Sequence, residues 1–268
     1  MNQTPPASGY APLSGIELYY EVRGEGRPVV LLHGSFGAIE LFAEQAEVLL
    51  AHGRQVIGVD LQAHGRTLAV ERPMRFETMA DDIAGLISFL GLEQADVLGF
   101  SLGGGVALQI AIQHPAKVGR LVLVSTPCRR SGWYPEMVAG MAQIGPQFAE
   151  MMKRTPMYEL YARLAPRVED WPLLATQIGD LLRLDYDWSA EVTGLPMPVM
   201  LALGDADGLS PAHAVAFFEL LGGGLRDASW DGSGMTHHRL AVLPGKTHYD
   251  ILDGPALLAA VAPFLDAA

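Results

Sequence analysis

Covalent acyl transfer needs a hydroxyl nucleophile, an imidazole that takes its proton and a carboxylate that orients the imidazole. The segment Gly99-Phe100-Ser101-Leu102-Gly103, followed by Gly104 and Gly105, places one serine among glycines. The apolar run Ala95–Phe100 before it reads as a buried strand. Leu102–His114 after it, apolar nearly all round, reads as a buried helix. A serine on so tight a strand-to-helix turn needs glycine neighbours, because a Cβ there meets backbone. The helix start beside it presents unpaired N–H groups. The plainer alternative is a Gly-flanked serine that caps the helix.

Eight histidines compete for the role of base: His33, His52, His64, His114, His213, His237, His238 and His248. His248 lies in a loop directly after the strand-like run Leu240–Leu243, and sites in parallel sheets assemble at such C-terminal strand ends. His237 and His238 precede that run and fall at its opposite end. His213 follows Pro211 at a helix start and reads as a surface or first-turn residue, while His114 ends a helix before Pro115. Two carboxylates, Asp205 and Asp207, follow the run Pro198–Leu203. Asp207, deeper in the loop, is the candidate partner of His248. Asp205 is expected to bond the backbone N–H groups of its own turn. The alternative makes both acids ordinary turn residues.

These residues must be positioned by a frame, and the hydropathy pattern outlines one. Ile16–Val22 reads as a strand, and short, mainly apolar runs without polar alternation follow at Pro28–Leu32, Val56–Val59, Ala95–Phe100, Leu121–Val124 and Pro198–Leu203. Runs without polar alternation are expected of strands covered on both faces, hence of a parallel sheet. Helical spacing fills the gaps at Ile39–Ala51, Phe76–Leu90, Leu102–His114 and Ala256–Leu265. The alternation predicts an α/β fold with right-handed crossovers. The rhythm stops between Thr126 and about Pro196, a stretch with three tryptophans, five methionines and several prolines that reads as a helical insert. The expected division is a core of residues 1–127 and 196–268 with a helical cap at 128–195.

Composition narrows the function classes. The 268 residues carry a net charge of −12 and are 50% hydrophobic. Such acidity argues against nucleic acid and against anionic lipid as partners. The single cysteine, Cys128, excludes an internal disulfide framework and a multi-cysteine metal site. The N-terminus has neither the basic nor the apolar region of an export signal, and no apolar run reaches the ~18 residues of a membrane span, so a cytoplasmic protein is expected.

Five segments together resemble the α/β-hydrolase family: His33-Gly34-Ser35-Phe36-Gly37, Asp60 to Thr67, Gly99 to Gly104, Gly204 to Asp207, and Pro244 to His248. The resemblance covers nearly the whole chain. It implies an eight-stranded, mostly parallel sheet flanked by helices, a lid after strand six, a Ser-His-Asp triad and no cofactor. The family's chain order of serine, acid, histidine points to Ser101, Asp207 and His248. Relatives sometimes carry the acid after the earlier strand, where this chain reads Ser125-Thr126-Pro127. The resemblance implies an oxyanion hole built from the Leu102 N–H and a donor in the 33–37 loop, Ser35 first and Phe36 second. His33 and His64 are then structural, and Ala63 stands where the family usually has glycine.

A serine at the elbow, where dehalogenases and epoxide hydrolases of this fold place aspartate, implies acyl transfer. Trp133, Tyr134, Met137, Met141 and Tyr158 are candidates for an apolar substrate pocket, against cap core as the alternative. Small to medium, fairly apolar acyl or aryl esters are the expected small-molecule substrates. C–C bond hydrolysis, enol-lactone opening or perhydrolysis by the same triad, alcohol-accepting transfer, and a non-catalytic binding module are the competing classes. The Gly-rich segment from Gly222 to Gly234 reads as a surface loop or as the edge of a homodimer contact.

Overall fold

The computed structural model describes residues 7–267. The reading of residues 1–6 as free of an export signal lies outside them. Eight strands, β1 (Ala7–Leu13), β2 (Ile16–Arg23), β3 (Pro28–Leu32), β4 (Gln55–Val59), β5 (Ala95–Phe100), β6 (Val118–Val124), β7 (Val199–Ala206) and β8 (Arg239–Thr247), form one sheet in the order β1-β2-β4-β3-β5-β6-β7-β8. β1 and β2 pair antiparallel, as do β2 and β4, and every later pairing is parallel. This is the expected mostly parallel eight-stranded architecture. β1 has no apolar run of its own: it contains Gly9 and Pro12 and holds its place by pairing with β2 along seven residues. Proline is tolerated there because β1 is an edge strand.

Unbroken apolar strands follow from helices on both faces. α1 (Ala43–Ala51) and α10 (Ala256–Asp266) cover one face. α2 (Phe76–Phe89) and α3 (Leu102–Gln113) cover the other. Along β3 the side chains divide accordingly, Val29 and Leu31 into the first layer and Val30 and Leu32 into the second. The single helix expected over 39–51 is a 3-10 turn, Ile39–Phe42, leading into α1.

Between β6 and β7 lie α4 (Pro135–Ala142), α5 (Pro146–Met152), α6 (Pro156–Leu164), α7 (Trp171–Arg183) and α8 (Ser189–Val192). α7 buries Trp171, Leu174, Ala175, Ile178 and Leu181, one stripe at helical spacing. The Trp171 ring lies 5.2 Å from Phe36, so this segment packs on the loop after β3. α9 (Pro211–Leu220) follows β7. The segment between α9 and β8 runs over the surface, with Trp230 99% exposed. No helix among the described residues is long and apolar enough to cross a membrane.

Candidate active site

The turn from β5 into α3 is possible only with glycine at two positions. A Cβ on Gly99 would overlap the Gly103 carbonyl, and one on Gly103 would overlap the carbonyl oxygens of Leu32 and His33. Ser101 between them adopts φ 53° and ψ −116°, the left-handed side of conformational space that a serine enters only under constraint. Its N–H donates to Val124 O at 3.0 Å, tying the turn to the end of β6.

Two loops bring the partners to it. The His248 ring stands between Ser101 and Asp207: Ser101 Oγ donates to Nε2 at 3.0 Å, and Nδ1–H donates to Asp207 Oδ1 at 3.0 Å. With Nδ1 carrying the proton, Nε2 is the free base. The rings of Phe100 and Trp133 lie 5.2 Å and 5.4 Å from the imidazole and shield it. Asp207 also accepts from Leu209 N–H at Oδ1 (3.1 Å) and from Ser125 Oγ–H at Oδ2 (2.5 Å). Burial pushes its carboxyl up, but His248, Ser125 and the Leu209 N–H outweigh burial and hold it below the ordinary carboxylate range.

Asp205 departs from the expectation. It does not close its own turn; its Oδ1 accepts the Gly245 N–H at 2.8 Å and so latches the acid loop to the histidine loop. The bond to a residue two ahead in the turn is made instead by Asp207, to Leu209.

The loop after β3 is clasped by two neutral histidines. His33 Nδ1–H donates to Gly34 O at 2.8 Å, and its Nε2 accepts Leu61 N–H at 3.1 Å. His64 Nδ1–H donates to Gln62 O at 2.9 Å, and its Nε2 accepts Phe36 N–H at 3.2 Å. Burial lowers both rings' pKa, that of His64 to about 3. Ala63, in the position where the family favours glycine, sits at φ 65°.

The clasp corrects one expectation. Phe36, at φ 60°, directs its N–H to His64, so it is not a free oxyanion donor. Ser35 and Leu102 both border the cavity over Ser101. As the first residue of α3, Leu102 has an N–H outside the intrahelical ladder.

That cavity, about 30 Å³, is also lined by Phe76, Gly105, Thr126, Pro127, Trp133, Met141, Leu182 and Tyr186, with no charged side chain among them. Of the five pocket candidates, Trp133 and Met141 reach it. Tyr134 is 42% exposed on the surface. Met137 packs against Gly208. Tyr158 is set edge-on to Trp171 at 5.4 Å, inside the inserted helices. The sequence reading missed Phe76, Leu182 and Tyr186, which come from α2, α7 and the stretch before α8. A usable signal existed in the aromatic pair Tyr186 and Trp188, whose rings stack at 4.3 Å, with Phe76 set edge-on to both. The Trp133 indole N–H donates to the Tyr186 hydroxyl, and burial raises that hydroxyl's pKa. His213 lies in the first turn of α9, one of its two expected places, but it is buried there and not on the surface: its Nε2 accepts the Cys128 N–H at 3.3 Å.

A family model described as the alpha/beta hydrolase fold matches residues 27–223. The chain is 29% identical over 221 residues to the AB hydrolase superfamily protein YisY of Bacillus subtilis (strain 168), across 73% of this chain and 80% of that protein. It is 34% identical over 149 residues to 2-hydroxymuconate semialdehyde hydrolase of Pseudomonas sp. (strain CF600), across 52% of this chain and 50% of that one. Among solved structures, an esterase from Exiguobacterium antarcticum superposes with a TM-score of 0.72 at 25% identity, across 97% of this chain and 99% of the other.

Proposed function

The chain belongs to the alpha/beta hydrolase fold family, and from that premise we propose that it is a serine hydrolase of carboxylic esters working through an acyl-enzyme. The observation that carries the reading is the continuous relay from Ser101 Oγ through His248 to Asp207, 3.0 Å at each step, beside a small neutral cavity. His248 Nε2 takes the Ser101 proton as Oγ attacks the ester carbonyl carbon. The N–H groups of Ser35 and Leu102 receive the oxyanion, an interaction typically contributing ~10²–10³ in kcat per donor. The imidazolium then gives its proton to the departing alkoxide, leaving an acyl ester on Ser101. Water, deprotonated by the same nitrogen, releases the acid. Asp207 stabilises the imidazolium in both halves.

Residues 128–195 act in this reading as a cap that closes over Ser101. Trp133, Met141, Leu182 and Tyr186 form the acyl wall. Their neutral, largely apolar character favours small to medium uncharged acyl groups. C–C bond hydrolysis by the same residues is the second reading, favoured by the likeness to the semialdehyde hydrolase over half the chain.

The test is turnover of nitrophenyl esters of increasing acyl length, with a lactone and a diketone alongside. Ester turnover should dominate, and Ser101→Ala should lower kcat by about 10⁶. A serine-directed phosphonate should add one label, at Ser101. Ordinary ester turnover by Ser101→Ala would overturn the mechanism, and a diketone preference would favour the second reading.

A further inference from the structure

We infer that Ser125 is a positioning residue for this reaction, its hydroxyl fixing the Asp207 carboxylate in the orientation that His248 requires. The inference rests on the acyl-transfer reading above. The torsion that rotates a carboxylate has a broad potential, so hydrogen bonds must set its orientation. On Oδ1 the donors are His248 Nδ1–H at 3.0 Å and Leu209 N–H at 3.1 Å. On Oδ2 they are Ser125 Oγ–H at 2.5 Å and the distant Gly204 N–H at 3.4 Å. Without the serine hydroxyl, Oδ2 keeps only the long contact, and the carboxylate can pivot about the two bonds left on Oδ1, loosening its alignment with His248. Both residues are buried, so bulk water does not replace the lost donor.

The backbone at Ser125 supports the same assignment. It is the first residue beyond β6, at φ 51°, with its N–H donating to Ala202 O of β7 at 2.8 Å. That left-handed conformation suits glycine and disfavours any residue with a Cβ. The chain holds serine there nonetheless, and a hydroxyl aimed at Asp207 is what glycine would lack.

The test compares Ser125→Ala, Ser125→Gly and Ser101→Ala with the native enzyme, on whichever nitrophenyl ester the native enzyme turns over fastest. Ser125→Ala and Ser125→Gly should each lose about tenfold in kcat, with KM within twofold of native. Ser125→Gly, relieved of the left-handed Cβ, should melt no lower than Ser125→Ala, and it keeps the test standing if the alanine variant fails to fold. A kcat within twofold of native for both variants overturns the inference. So does a loss that appears in KM alone, or one that tracks the melting temperature instead of the missing hydroxyl. Retention of activity by Ser101→Ala is a separate outcome, overturning the acyl-transfer reading itself.

Discussion

Asp207→Asn removes a charge while leaving nearly every atom in place, and the structure allows the result to be worked out. Four donors surround the carboxylate: His248 Nδ1–H, Leu209 N–H, Ser125 Oγ–H and Gly204 N–H. An amide NH₂ in place of Oδ1 would face two N–H groups that cannot accept. In place of Oδ2 it meets the Ser125 hydroxyl, which can rotate and accept its hydrogen. The asparagine therefore settles with its oxygen toward His248, and the imidazole keeps its tautomer. In the acyl-transfer reading, what disappears is the negative charge opposite the imidazolium that forms as Ser101 attacks. Two unit charges about 4 Å apart interact by about 4 kcal/mol at an effective dielectric of ~20, which corresponds to roughly 10³ in kcat. Asp205→Asn is the contrast. Its oxygen accepts one N–H, from Gly245, which an amide oxygen can also accept, and a loss below about threefold is expected. The assay is kcat on a nitrophenyl ester, with phosphonate titration so that only competent sites are counted. A loss below about tenfold at Asp207, or a larger loss at Asp205 than at Asp207, would refute this reasoning and move the acid.

The histidine clasp makes the protein sensitive to acid. Burial holds the His64 pKa at about 3 against an ordinary 6.5, so below pH 6.5 the unfolded chain binds more protons than the folded one. The stabilisation is therefore complete above that pH and is lost as pH falls toward the folded value. At pH 5 the loss amounts to about 2 kcal/mol. Urea unfolding at pH 7 and pH 5 should show it, and His64→Gln should flatten the dependence by that amount; an unchanged dependence in the variant would count against the clasp. Gly103→Ala should destabilise the fold by about 3 kcal/mol and lower kcat, because its Cβ meets the carbonyls of Leu32 and His33, which belong to β3 and the clasped loop. Wild-type stability in that variant, measured by the same unfolding, would show that the elbow can relax.

What was legible in the sequence was whatever a local stretch of backbone decides. Gly99 and Gly103 are demanded by overlap with atoms within a few residues or on the adjacent strand, so the turn is written in the glycines themselves. The apolar run of β3 needed no context, because a strand covered on both faces leaves no alternation to misread. β1 was missed for the converse reason: its exposed, Pro-containing sequence becomes a strand only through its partner. The pocket was half legible. Trp133 and Met141 face Ser101 while Tyr134 and Met137, their near neighbours, do not. Which residues of the insert point inward depends on how its helices are rolled against the sheet. That roll is set by contacts such as Trp171 with Phe36, between residues far apart in the chain.

Phe36 shows how such a contact bears on the chemistry. By type and position it was a reasonable oxyanion donor, and the structure assigns both of its functional groups elsewhere. Its N–H goes to His64, and its ring packs against Trp171 and Phe148 of the inserted helices. The left-handed φ of 60° that sends the N–H to His64 leaves Ser35 as the residue of this loop that borders the cavity. In the acyl-transfer reading the oxyanion loop is therefore held from two sides, by His64 and by the aromatic cluster of the inserted helices. Within the insert, Trp133 lies against the His248 ring itself, whereas the Trp171 cluster meets the site through Phe36, next to Ser35. A change in the Trp171 cluster should then reach catalysis through oxyanion stabilisation, in kcat, while the distances within the triad stay as they are.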